Sequence, residues 1–345
     1  MVDEFFRRLI RKDQIGIEIG ASFNPLAPKR DGWNIVTVDY ASREELISIY
    51  SYANVAYEKI EEVDVIWKGG SLYDAVSEKY PNQKFNYIIA SHVIEHITNL
   101  VALFQDIEKL LTDDGVGLLI VPDKRYTFDY LKQISTTADV VEAYIRKHAV
   151  HPLATAFKTY FHGIYNGKRS IWGKNAIVKY EDLNFIMPLR QAYDALKDYA
   201  EEEYVDYHRW IFTQNSFILM VKELLYLDLI HMDVTSIYSD SKRCDFFVCL
   251  KKNYEKEDGE TWEKKRLQYY KNMNRDLLDQ LIHSDVREEN DLNADLIREN
   301  ADLELELSRI YISRAWKMVN FLKQIRIRLM PDNSPLHRIF VRLVK

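Results

Sequence analysis

The chain has 345 residues, 47% of them hydrophobic, and its 47 Lys+Arg against 53 Asp+Glu leave a formal net charge of −6. That composition excludes a disordered chain, and 11 Gly with 8 Pro exclude a collagen-like one; the length suffices for a full core and one or two domains. Two cysteines, Cys244 and Cys249, form neither a disulfide framework nor a CxxC metal knuckle. Five positions apart on one strand they would face opposite sides, as small core residues. The opening Met-Val-Asp-Glu-Phe-Phe-Arg-Arg lacks the apolar stretch of a signal peptide, and no 18 apolar residues run together, so a cytoplasmic location is expected.

In chain order, β-rich runs at 14–19, 34–39, 63–67, 85–90 and 117–121 alternate with helical patterns. That alternation predicts a parallel sheet covered by helices. Between the last two runs, Leu100, Leu103, Phe104, Ile107, Leu110 and Leu111 follow a 3.6 period, the stripe of a half-buried helix. After Pro122 comes an insertion, 124–207, rich in Tyr, Phe, His and basic side chains and too long for a loop. Thr213 then reads as the N-cap of a helix carrying Phe217, Val221, Leu224 and Leu225, followed by strands near 234–238 and 245–250. The last glycine is Gly259 and no proline falls between Pro188 and Pro331, so 260–330 is expected to be mostly helix. The expected organisation is a domain over 1–252, a coiled coil over 260–310 and a basic amphipathic tail over 311–345.

The first strand ends in Glu18-Ile-Gly20-Ala21-Ser-Phe-Asn24-Pro25, where Gly20 can take conformations a Cβ forbids and let backbone approach a ligand. The next strand ends in Asp39, where a carboxylate can accept from two ribose hydroxyls. A dinucleotide fingerprint would need glycines at Ser22 and Pro25. Glu18 would also repel a pyrophosphate, yet suits a cation. S-adenosylmethionine (SAM) carries an ammonium and a sulfonium and no phosphate, and fits this turn better.

These segments, with Val38-Asp39, Phe85-Asn-Tyr-Ile-Ile-Ala-Ser-His-Val-Ile-Glu-His96 and Gly115-Val-Gly-Leu-Leu-Ile-Val-Pro122, resemble the successive motifs of class I SAM-dependent methyltransferases over roughly 14–124. The resemblance implies a Rossmann-like α/β sheet with the insertion as a helical, acceptor-binding cap after the fifth strand. It implies that Glu18, Gly20, Ala21 and Asn24 surround the methionine end and that Asp39 takes the ribose. Gly70, Ser71 and Leu72 would pass the adenine, and Ser91 and His92 would line the sulfonium. Ser22 departs from the family's usual second glycine.

His92-Val-Ile-Glu-His96 also spells HxxEH, the inverted zinc-peptidase motif. Zinc would need both histidines on one helical face, whereas His92 follows a strand, so no metal is assigned. Glu95 and His96 are read as starting the next helix. Methyl transfer needs proximity and, for a hydroxyl acceptor, a proton acceptor. Of nine histidines, His92, His151, His162 and His208 are placed suggestively. His208, leading into the late helix, is the first choice for the base. His162 in the insertion and Asp123 at the mouth of the fifth strand complete the catalytic candidates. The aromatics of the insertion, among them Tyr126, Phe128 and Trp172, would suit sugar rings or a phosphorylated acceptor.

Residues 282–310 fit a heptad with Ile282, Glu289, Leu296, Leu303 and Ile310 at d and Val286, Asn293, Asn300 and Leu307 at a, which implies self-association. A helix packed back on the domain is the alternative. Residues 311–345 hold eight basic side chains against one acid, Asp332, interleaved with apolar ones. That pattern suits an anionic membrane surface or a partner protein rather than nucleic acid. Ile312-Ser-Arg-Ala-Trp-Lys317 is similar to tails of bacterial polysaccharide-synthesis enzymes, glycosyltransferases among them. The whole resembles chain-terminating methyltransferases of O-antigen assembly. Together these imply O-methylation of a sugar or phosphate of a surface polysaccharide or its precursor, at the inner face of the cytoplasmic membrane. A coiled-coil scaffold with a degenerate nucleotide domain is the competing expectation, and a nicotinamide oxidoreductase is third.

Overall fold

The computed structural model describes residues 5, 8–52, 55–197, 199, 204–255 and 257–284. A mixed seven-stranded sheet is built from β1 (Gly16–Ile19), β2 (Ile35–Asp39), β3 (Val65–Ile66), β4 (Phe85–Ser91), β5 (Leu111–Pro122), β8 (Met232–Ser239) and β9 (Asp245–Lys252). Its order is β3-β2-β1-β4-β5-β9-β8. The first five strands are parallel, and β9 runs antiparallel to both neighbours. In register, Ile19 sits between Val38 and Ala90.

Both faces are apolar, as a parallel sheet requires. Ile17, Ile19, Val36, Val38, Ile88, Ala90 and Leu119 pack on one side with α2 (Leu72–Lys79), α3 (Leu100–Leu110) and α7 (Gln214–Tyr226). Ile35, Tyr87, Ile89, Leu118, Ile120, Phe247 and Cys249 pack on the other. The even and odd positions of each strand thus feed two cores. A short helix, α1 (Arg43–Ile49), starts from a capping box at Ser42 and buries Leu46. Thr213 caps α7 as expected, its hydroxyl accepting from Ser216 N. The strand order reverses between β1 and β4, which opens a crevice at the carboxyl edge.

Between β5 and α7 the chain leaves the sheet. It forms α4 (Thr137–Ile145), α5 (Leu153–His162), the hairpin β6 (Ile164–Asn166) with β7 (Leu183–Phe185), and α6 (Leu189–Leu196). This insertion has its own small cores, one around Tyr126, Tyr130, Ile164, Trp172 and Val178, the other around Ala156, Leu196 and Tyr207.

The globular unit reaches further than residue 252, to Ser284. The helix α8 (Gly259–Ile282) lies against α7, with Trp262 stacked on Tyr226 at 4.6 Å between centroids. Arg125 is clamped between Asp123 at 2.6 Å and Asp276 at 3.4 Å. Such buried ions hold only as a set, because removing one leaves an unpaired charge. The opening part of the region expected to be a coiled coil is therefore a domain helix, the packed-back arrangement, while Ile282 stays half exposed. The heptad from Val286 onward and the basic tail lie outside the described residues. No described helix is long and apolar enough to cross a membrane.

Candidate active site

The glycine turn after β1 is tight. Gly20 has φ 66°, and a Cβ there would meet Val93 Cγ2 at 2.8 Å, so both backbone strain and a clash exclude a side chain. Ser22 is also left-handed, at φ 46°, which is how the chain makes the turn without the second glycine. Asp39 is buried at the tip of β2 and accepts from Ser22 N at 3.1 Å and Tyr40 N at 2.8 Å, one bond on each oxygen. A carboxylate has about four acceptor sites, so both oxygens can still take a ribose hydroxyl. Burial raises the Asp39 pKa. The buried Ser22 hydroxyl makes no hydrogen bond within the protein. That orphan and the side-chain-free turn suit a bound SAM.

Glu18 behaves differently from the expectation. Its two oxygens accept from Leu26 N at 2.7 Å and Ala27 N at 3.0 Å, closing the loop that follows the turn. Burial pushes its pKa up to about 7 despite those bonds. Both carboxylate oxygens are thus turned to the loop at Leu26 and Ala27. Ala21 is buried and Asn24 exposed on the same loop. Gly70, at φ 75°, makes the turn before α2, and Trp67 Nε1 donates to its carbonyl at 3.3 Å. Ser71 and Leu72 follow that turn. The Ser71 hydroxyl caps α2 and donates to Asp106 at 2.8 Å, while Leu72 is fully buried in the sheet core.

Ser91 ends β4 half-buried. Beyond it, His92 takes φ 53° and turns its ring into a cavity of about 620 Å³. The wall combines His92, Glu95, His96 and His208 with Phe128, Trp172, Lys242 and Asp245. Glu95 and His96 form a single 3-10 turn, Ile94–His96, and the next helix is capped separately by Asn99. They do not start that helix, because Ile97 returns to extended backbone. Glu95 is fully buried, and neither of its oxygens accepts a hydrogen bond. Three imidazoles surround it. His92 Nδ1 lies 3.5 Å from its Oε1 and His96 Nε2 lies 3.9 Å from it. His208 is near enough that one donor atom from each of Glu95, His96 and His208 falls within 4.8 Å of the others.

Each imidazole is backed by an outer carboxylate. His208 Nδ1 pairs with Asp129 at 2.6 Å, His96 Nδ1 meets Asp206 at 2.6 Å, and His92 Nε2 meets Asp245 at 3.1 Å. Asp129 is in turn ion-paired with buried Lys132 at 2.6 Å. Burial opposes charge on His92, but the bond to Asp245 and the nearby negative charge of Glu95 outweigh it and bring the pKa up to about 9. His96 is raised in the same way, by Asp206 and Glu95. Burial acts to raise the Asp129 pKa, yet His208 and Lys132 hold it down at about 2. For Glu95, too, the histidines outweigh burial and lower the pKa.

The three catalytic expectations separate. His208 is in the cavity wall. Asp123 is not available for chemistry: it is fully buried and gripped by Arg125 through Nε at 2.9 Å and the second terminal nitrogen at 2.6 Å. His162 closes α5 as an exposed side chain and does not line the cavity. Sequence alone assigns Asp129, Asp206 and Asp245 no role in the site, and reads Glu95 only as part of HxxEH and the start of the next helix. The one local signal was an acidic residue set between apolar Ile94 and His96 directly after a strand. The other three meet their histidines from far along the chain.

Residues 5–163 match the family model described as a methyltransferase domain. No curated protein matches the chain. Among solved structures, the CcbJ methyltransferase from Streptomyces caelestis is 10% identical with a TM-score of 0.37, over 73% of this chain and 88% of that one. A SAM-dependent methyltransferase from Clostridium acetobutylicum is 12% identical, TM-score 0.36, over 73% and 90%. The glycopeptide N-methyltransferase MtfA, complexed with SAM, is 12% identical, TM-score 0.34, over 72% and 91%. The family match takes in the glycine turn, Asp39 and the Ser91–His96 corner, so residues 5–163 are similar to a methyltransferase domain.

Proposed function

We propose that the protein transfers a methyl group to oxygen, on a sugar hydroxyl or phosphate of a bacterial surface polysaccharide or its precursor, as a chain-capping step. The observation that carries this reading is the histidine cavity opening directly beyond Ser91, where the donor's crevice ends. When bound, SAM supplies an electrophilic methyl on a good leaving group. The chain's own residues do the rest. Asp39 and the Gly20 turn hold the nucleoside, and Ser91 and His92 border the reacting end. The acceptor oxygen is activated at the polar floor of the cavity, where Asp129 fixes the orientation of His208. Phe128 and Trp172 offer apolar faces to a sugar ring, and Lys242 gives the rim a positive charge suited to a phosphate, while Arg243 is paired with Asp245. Self-association through the heptad of 286–310, and docking of 311–345 on an anionic membrane face or a glycosyltransferase, belong to the same proposal.

Calorimetry with SAM tests the donor site. Asp39→Ala should weaken binding by about 1.5–3 kcal/mol, the loss of charged hydrogen bonds, or roughly 10- to 150-fold. In labelled methyl transfer onto glycan acceptors, His208→Ala should lose turnover while SAM affinity holds. No SAM binding by the intact chain would end the enzyme reading.

A further inference from the structure

We infer that Glu95, His96 and His208 form a binding site for a divalent first-row transition ion, with Zn²⁺ the best match. The inference deepens the proposed function, since it states how the acceptor oxygen is activated. A fully buried carboxylate with no hydrogen bond to either oxygen is a costly feature that calls for a missing partner. The nearest imidazole nitrogens, at 3.5 and 3.9 Å, are too far to donate to it. A cation at the centre supplies what is missing.

The donor set is two imidazoles and one carboxylate, which suits zinc and iron and leaves positions open for a substrate oxygen. Metal-bound histidines turn their other ring nitrogen to a carboxylate, which fixes the tautomer and raises basicity. His208 does so through a hydrogen bond to Asp129 at 2.6 Å, and His96 Nδ1 lies 2.6 Å from Asp206 as an ion-pair contact. On both rings Nδ1 faces the outer carboxylate, which leaves Nε2 as the ligating atom. Donors now within 4.8 Å of one another would close to roughly 3.3 Å around a tetrahedral ion with bonds of about 2.0–2.1 Å, a side-chain adjustment of about an ångström. His92 remains outside this set, tied to Asp245. All three side chains line the cavity, so an ion held by them would lower the pKa of an acceptor hydroxyl bound to it, which would give its proton to water and accept the methyl group as an alkoxide.

The test is Co²⁺ titration of the full chain, followed by the visible d–d bands of a tetrahedral site and by displacement with Zn²⁺. One Co²⁺ per chain is expected. Glu95→Gln or His208→Ala should abolish the bands, Asp129→Asn should weaken affinity roughly 10- to 100-fold, and His162→Ala should leave it unchanged. SAM calorimetry on the same samples reports folding, and Asp129→Asn keeps all three ligands should the ligand variants fail to fold. Absence of saturable Co²⁺ binding in a chain that binds SAM overturns the cation site and spares the methyltransferase reading. So does unchanged affinity in Glu95→Gln and His208→Ala. Co²⁺ binding without SAM binding supports the site and overturns the proposed reaction.

Discussion

Glu18 shows how one side chain can be displaced from an expected role by its own backbone. Its acidity at the strand tip was readable, and so was the inference that an anion there favours a cationic ligand. The two amides at Leu26 and Ala27 were not, because they depend on how the loop folds back after Pro25. The outcome has a pH signature. With the folded pKa near 7, above the unfolded carboxyl value, the Glu18 contribution to stability is complete below about 4.5 and lost as the pH rises through 7. Thermal melting compared between wild type and Glu18→Gln should show the variant with the flatter profile from pH 4.5 to 7. Its melting temperature should be lower throughout, since the amide NH₂ faces one backbone donor. Identical slopes would mean that Glu18 does not titrate in this window.

At the scale of elements, the strands and the α7 cap were legible because each carries a local signal, apolar alternation or a Thr-x-x-Ser start. The fate of α8 was not. Its run of helix formers without a break after Gly259 fits a stalk and a packed helix equally, and only contacts with residues outside the helix decide between them. Trp262 on Tyr226 and Asp276 beside Arg125 choose packing. Trp262→Ala should therefore cost about 3 kcal/mol in chemical denaturation, the loss of a buried aromatic ring. A change within about 0.5 kcal/mol would be the behaviour of an exposed stalk residue. The same reasoning accounts for Asp123, whose position at the end of β5 was foreseen. Its burial against Arg125 required α8 to close over that end.

For the whole molecule, charge is divided along the chain: residues 311–345 carry eight basic side chains and one acid, while the rest is acidic. Sedimentation of the full chain against one ending at Ser284, the limit of the globular unit, tests where association resides. The full chain should form an oligomer and the shortened one a monomer. An unchanged oligomer would move the interface into the domain. The sequence by itself determined the parallel sheet, the glycine turn, Asp39 and the place of the insertion, because these follow from periodicity and from residues adjacent along the chain. Tertiary structure decided the chemistry of the cavity. Asp129, Asp206 and Asp245 reach their histidines from other elements, and Glu95 is buried where the amides of Arg209 and Trp210, more than a hundred residues on, bond to its carbonyl. Desolvation and charge pairing are properties of the assembled site, and no local pattern encodes them.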